Sequence, residues 1–126
     1  KKVSFDKCLE FGYGEDTDFG LQLRNLGVDV ISFPEIPILH LKAPMGGFRI
    51  KPTFEWSNEE IQPKPSPTVM YVKVKYNCRE QTNKYKTTLF FKYYKHQSIK
   101  NPIRYLNHFN NRWDKSLFWA NELKKR

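Results

Sequence analysis

"GYGEDTDFGLQLRNLGVDVISF", residues 12–33, decides the fold, because a helical pattern gives way in it to an extended one. Glu15, Asp16 and Asp18 crowd the start of the helical part, and Asp16 or Thr17 has the side chain to cap it. Phe19, Leu23 and Leu26 recur at helical spacing, while Leu21 lies off that stripe, so the helix is expected to be buried on more than one side. Gly27 follows where a left-handed C-terminal cap is commonest. Val28, Val30 and Ser32 then alternate with Asp29, Ile31 and Phe33, the pattern of a short strand. Pro34 and Pro37 break it, and "ILHLKA" (38–43) reads as a second extended piece. A helix followed by short strands predicts an α/β segment over residues 1–51.

Working outward, residues 43–68 hold Pro44, Gly46, Gly47, Pro52, Pro63, Pro65 and Pro67, a loop long enough to be either functional or disordered. "EWSNEEIQPKPSP" is polar enough to be mobile. Beyond it, "VMYVKVKYNC" suits strand or helix, because Val69, Val72 and Val74 are β-branched. Asn77 followed by Glu80 fits a capping box that opens a helix. Asn101 and Pro102 fit the N-cap and first turn of a last helix, with Ile103, Leu106, Asn110, Trp113, Leu117 and Ala120 on its apolar stripe. Three zones result: an α/β part at 1–51, a Pro-rich loop at 52–68 and a helical, aromatic and basic extension at 69–126.

The size suits a single modest domain, and 39% hydrophobic with 28% charged residues argues against wholesale disorder. There is no run of about 20 apolar residues of the kind a spanning helix needs. With no initiator Met and no signal segment, the chain reads as a piece of a longer protein. Its net charge of +9, from 22 Lys and Arg against 13 Asp and Glu, favours polyanionic partners: phosphates, nucleic acid or an anionic membrane. Cys8 and Cys78 are too few for a metal site or a disulfide framework and fit free thiols in a reducing cytosol.

Three chemistries compete for the carboxylates. As a helix N-terminus, each acid would contribute about 0.3–1 kcal/mol through the helix dipole, with no function implied. As a D-x-D metal pair, Asp16 and Asp18 are poorly placed, since a phosphate-bridging pair belongs in a loop leaving a strand. As a general base, a carboxylate at a helix start, beside Gly12 and Gly14, is firmly held yet able to face a cleft. The residues alone leave the base and the cap open.

"FDKCLEFGYGEDTDFGLQLRNLGVDVISFPEIPILHLKAPMGGFR" (5–49) resembles the C-terminal half of the catalytic domain in bacterial family 2 glycosyltransferases, which have the GT-A fold. The match runs through Phe5-Asp6, Gly14-Glu15-Asp16, Asp18-Phe19, Leu23-Arg24, Gly27 and His40, although the family's Arg usually precedes the Leu. The resemblance implies a partial GT-A fold, followed by a mainly α-helical C-terminal extension. It implies transfer of a sugar, with inversion, from a nucleotide-sugar donor (UDP- or GDP-sugar) to the hydroxyl of a saccharide or lipid-linked acceptor, in surface polysaccharide or glycolipid synthesis. Asp16 would be the general base, Glu15 would contact the acceptor or shape the site, and Asp18 would cap the helix or orient the loop. His40 would help hold Mn²⁺ or Mg²⁺, an imidazole suiting manganese better. Gly46, Gly47 and Arg49 would meet the donor phosphates or the acceptor, although Gly-Gly also suits an ordinary turn. The donor half would lie outside this sequence, so these residues alone are expected to be inactive.

The tail admits a blander reading, helices with aromatics inward and charges outward. It also admits peripheral membrane docking through basic helices bearing Trp and Phe, and homo-oligomer contact. Nucleic acid is disfavoured because no recognisable motif accompanies the charge. The expected location is the cytoplasm, at the inner face of the cell membrane if the tail docks there. The alternative to an enzyme is a non-catalytic basic helical module that docks on a membrane or a protein.

Overall fold

A computed structural model describes residues 2–10, 12–31, 33–39 and 53–126. Four α-helices follow one another: α1 (Glu15–Asn25), α2 (Pro67–Tyr76), α3 (Arg79–Tyr94) and α4 (Pro102–Lys124). Single 3-10 turns lie at Lys7–Leu9 and Glu55–Asn58.

The described residues are all-helical, which corrects the expected α/β, partial GT-A fold. Val28, Val30, Ile31 and Phe33 belong to no strand, and Ile38 and Leu39 do not pair either. A strand leaves its backbone N–H and C=O groups unmatched unless another strand lies beside it, and the described residues supply none. Instead the chain turns at Pro34, where the Ile36 N–H donates to the Phe33 carbonyl at 3.2 Å. Alternation marked what these side chains could do, and the missing ladder decides what they do.

α1 ends as the sequence indicates. Gly27 takes φ +79°, its N–H donates to the Arg24 carbonyl (2.9 Å), and the Val28 N–H donates to the Leu23 carbonyl (3.1 Å). These two bonds form a Schellman motif. Its start differs. The N-cap is Gly14 rather than Asp16 or Thr17, so all three acids fall inside the first turn.

α4 is the spine. Asn101 caps it, its Oδ1 accepting from the Ile103 and Arg104 N–H groups at 3.0 and 3.1 Å, with Pro102 in the first turn. Its buried stripe is Tyr105, Phe109, Trp113, Ser116, Ala120 and Leu123. That stripe shares Trp113 and Ala120 with the expected one but is rotated, leaving Ile103 and Leu106 exposed. The rotation places Tyr105 and Phe109 against Phe90 of α3, with ring centroids 4.8 and 5.4 Å away. The aromatic face is therefore consumed in packing.

α2 resolves the strand-or-helix ambiguity as helix. Pro67, Thr68, Met70, Tyr71 and Val72 are all buried, so little of its surface is polar and β-branched residues fit as well as any. It packs most extensively on α4. α3 starts one residue later than expected: Cys78 is the N-cap, and its N–H donates to Gln81 Oε1 at 3.0 Å.

Residues 53–66 are not a free loop. Trp56 stacks on Phe54 (4.7 Å) and tilts onto Trp119 (6.0 Å). Glu59 accepts from Lys115 Nζ (2.7 Å) and Trp119 Nε1 (2.9 Å), which hold its carboxyl below the usual range. Ser116 Oγ donates to the Pro65 carbonyl (2.7 Å), and Arg112 Nε to the Gln62 carbonyl (2.9 Å). Arg112, Lys115, Ser116 and Trp119 lie on one face of α4 by helical spacing, and the strap runs along it. Among the described residues no helix is long and apolar enough to cross a membrane. Both cysteines are free thiols.

Candidate functional site

The "GYGEDTD" segment is pinned from below by α2. Thr68 Oγ1 accepts from the Tyr13 N–H at 3.0 Å. A Cβ added to Gly12 would stand 2.5 Å from Thr68 Cγ2, so the backbone approaches closer than any side chain allows. Gly14 has φ +110°, a conformation other residues rarely adopt, and its position faces Val72 Cγ2 at 3.0 Å. From there α1 begins, with the Asp18 N–H donating to the Gly14 carbonyl at 2.8 Å.

The three acids of the first turn then part company. Asp18 is only 1% exposed. Its Oδ1 accepts from Lys75 Nζ (2.7 Å) and Tyr76 Oη (2.8 Å), and its Oδ2 from Gln22 Nε2 (2.6 Å). Lys75 Nζ also donates to Asp6 Oδ2 at 2.8 Å, so one ammonium bridges two carboxylates. Asp6 accepts further bonds from Tyr71 Oη (2.7 Å) and the Cys8 N–H (3.0 Å). Gln22 ties in the N-terminal residues by donating to the Ser4 carbonyl at 3.0 Å.

The protonation states follow from this geometry. Burial works against the Asp6 carboxylate, but the bonds from Lys75, Tyr71 and Cys8 outweigh it and hold the group at about 2. Burial likewise opposes the Lys75 charge, and the bonds to Asp18 and Asp6 overcome it, raising its pKa above the ordinary lysine value. Burial, then the bonds to Asp6 and Asp18 respectively, push the Tyr71 and Tyr76 phenols up. The network is thus a fixed lock in which the Lys75 ammonium and the Tyr71 and Tyr76 phenols hold the Asp6 and Asp18 carboxyl groups in place.

Asp16 is the opposite case. It is exposed, and among the described residues its carboxylate makes no side-chain hydrogen bond or ion pair. It borders a shallow concavity of about 200 Å³ together with Thr17, Gly20, Leu21, Arg24 and Val30. Gly20 leaves that floor open, since nothing lies within 4 Å of where a Cβ would be. Glu15 is half-buried beside it. His40, Gly46, Gly47 and Arg49, expected to hold metal and phosphate, lie outside the described residues.

Among the described residues no three His, Cys, Asp or Glu side chains converge as a metal site. Asp6 and Asp18 are the nearest thing to a paired-acid site, and the Lys75 ammonium already neutralises both. The Asp6 and Asp18 pair therefore does not fit a divalent ion.

Sequence reading missed Lys75, Tyr71, Tyr76 and Gln22. Tyr71 and Lys75 are four apart, so they share a face once residues 67–76 are taken as helical. Taking them as possible strand hid that face. Comparison of the chain with models of protein families, with curated proteins and with solved structures found no match.

Proposed function

We propose that this chain carries the acceptor side of a sugar-transferring enzyme, with Asp16 as the general base. The supporting observation is the division of labour between the carboxylates of one helical turn. Asp18 is buried and bonded to three side chains, while Asp16 is exposed at the mouth of a concavity on a backbone that α2 holds rigid.

In the proposed step, the acceptor hydroxyl oxygen attacks the anomeric carbon of a nucleotide-sugar. Its proton passes to an Asp16 carboxylate oxygen, and the bond from the anomeric carbon to the nucleotide's phosphate oxygen breaks. The nucleoside diphosphate leaves with that electron pair. A single displacement of this kind inverts the anomeric centre. Glu15 contacts the acceptor or shapes its approach, and Arg24 on the rim can donate to acceptor hydroxyls. In this reading the donor-binding half lies outside these 126 residues, which alone should transfer no sugar.

The test is Asp16→Asn in the full-length protein, assayed by nucleotide-sugar turnover. Removing a general base should lower kcat by about 10²–10⁴ with donor KM little changed. Turnover equal to the unaltered protein would remove the proposal.

A further inference from the structure

A second concavity, of about 460 Å³, opens between the end of α3, the α3–α4 connection, α4 and the strap. It lies in the size range of small-molecule clefts. Its charged and titratable rim is basic: Lys64, Arg112, His96 and His108 line it, and among the described residues no carboxylate does. Its walls are aromatic, from Tyr93, Tyr105 and Phe109.

Two features make this more than a basic surface. The first is that the pocket is held in shape. Gln97 folds the connection by bonding both the N–H and the carbonyl of Ile99, and Tyr94 Oη donates to the Lys100 carbonyl at 2.8 Å. Tyr105 Oη donates to the Phe90 carbonyl at 2.9 Å, which fixes that ring as a wall. On the strap side, the Lys64 N–H donates to the Arg112 carbonyl at 3.1 Å.

The second is uncompensated charge. The Lys64 ammonium sits 4.0 Å over the Tyr93 ring centroid, and among the described residues neither Lys64 nor Arg112 has a carboxylate partner. Burial, and after it the neighbouring Arg112, lower the Lys64 pKa below its ordinary value. Two cations held close without a counter-charge are unfavourable until an anion joins them.

We propose that this pocket binds a small organic phosphate: a phosphate monoester whose charge lies between Lys64 and Arg112 and whose ring lies beside the half-buried Tyr93. Lys64 and the Arg112 guanidinium supply charge-assisted donors to the phosphate oxygens, and the two imidazoles extend that donor set. The half-buried Tyr93 ring suits contact with a sugar or a base. The site is separate from the Asp16 concavity, shares no residue with it, and stands or falls independently of sugar transfer.

The test is calorimetric titration of the 126-residue chain in about 150 mM salt, where long-range attraction to the net positive charge is screened. The probes are a hexose 1-phosphate, a nucleoside monophosphate and inorganic phosphate. At least one ester should bind with a Kd of roughly 1 mM or tighter, and more tightly than inorganic phosphate. Lys64→Gln should weaken that ester about tenfold, while Lys84→Gln, which removes the same charge from an exposed pair with Glu80, should not. Independently of any variant, the ester should shift the Tyr93 ring resonances. Binding by neither ester, equal loss in both variants, or affinity no better than that of inorganic phosphate without ring shifts would each overturn the proposal.

Discussion

α4 and the segment from Val28 to Leu39 are both rich in large apolar side chains, yet their fates are opposite. Tyr105, Phe109, Trp113 and Leu123 of α4 are at most 5% exposed, whereas Ile31, Phe33, Ile38 and Leu39 are at least 60% exposed. A helix satisfies its own backbone and needs a neighbour only for one stripe of side chains. A strand needs the backbone of another strand before its side chains matter. The helical region therefore buries its apolar stripe, and the described residues of the extended region leave theirs exposed.

The largest effect that would break this contrast is in the spine. Trp113→Ala should cost about 3–5 kcal/mol of folding free energy, read by chemical denaturation, because it empties a site closed by Phe109 and Tyr85. A loss below 1 kcal/mol would mean that α4 does not organise the core.

Gly14→Ala should cost about 1–3 kcal/mol by the same measurement, since the added Cβ meets both an unfavourable φ and Val72. Its effect would sharpen the claim that α1 is launched from a backbone fixed by α2.

Acid sensitivity comes next. The Asp6 carboxyl is held at about 2 in the folded protein against an ordinary 3.8, so the unfolded chain binds more protons between those values. The stability it contributes is fully present above about 4 and is lost as pH falls through about 2. Denaturation followed from pH 5 to 2 should show this decline, and Asp6→Asn should flatten it. An unchanged slope would remove Asp6 from the lock.

The smallest effect belongs to the exposed segment. Phe33→Ser and Ile38→Ser should change folding free energy by no more than about 0.5 kcal/mol. They should instead reduce self-association in sedimentation, because the apolar surface they remove is already in water. A large loss of stability would place these side chains in a core.

The same physics divides what the sequence made legible from what it hid. Gly27 and Asn101-Pro102 were readable because a cap is chemistry within a few residues. The strand at 28–33 was misread because alternation is a property of side chains and pairing is a property of the rest of the chain. The rotated stripe of α4 was missed because Tyr105 and Phe109 are claimed by Phe90 of α3, fifteen or more residues back in sequence. At the candidate site, the acids were visible as a cluster. Which of them is consumed depends on Lys75, 57 residues from Asp18, and no local pattern carries that information.

Side-by-side denaturation of Asp16→Asn and Asp18→Asn tests this division most directly. Asp18→Asn should lower folding free energy by about 1–3 kcal/mol, because it removes a buried charged acceptor bonded to Lys75, Tyr76 and Gln22. Asp16→Asn should stay within about 0.5 kcal/mol of the unaltered chain. Equal losses, or the reverse order, would contradict the assignment of Asp18 to the lock and Asp16 to the open face.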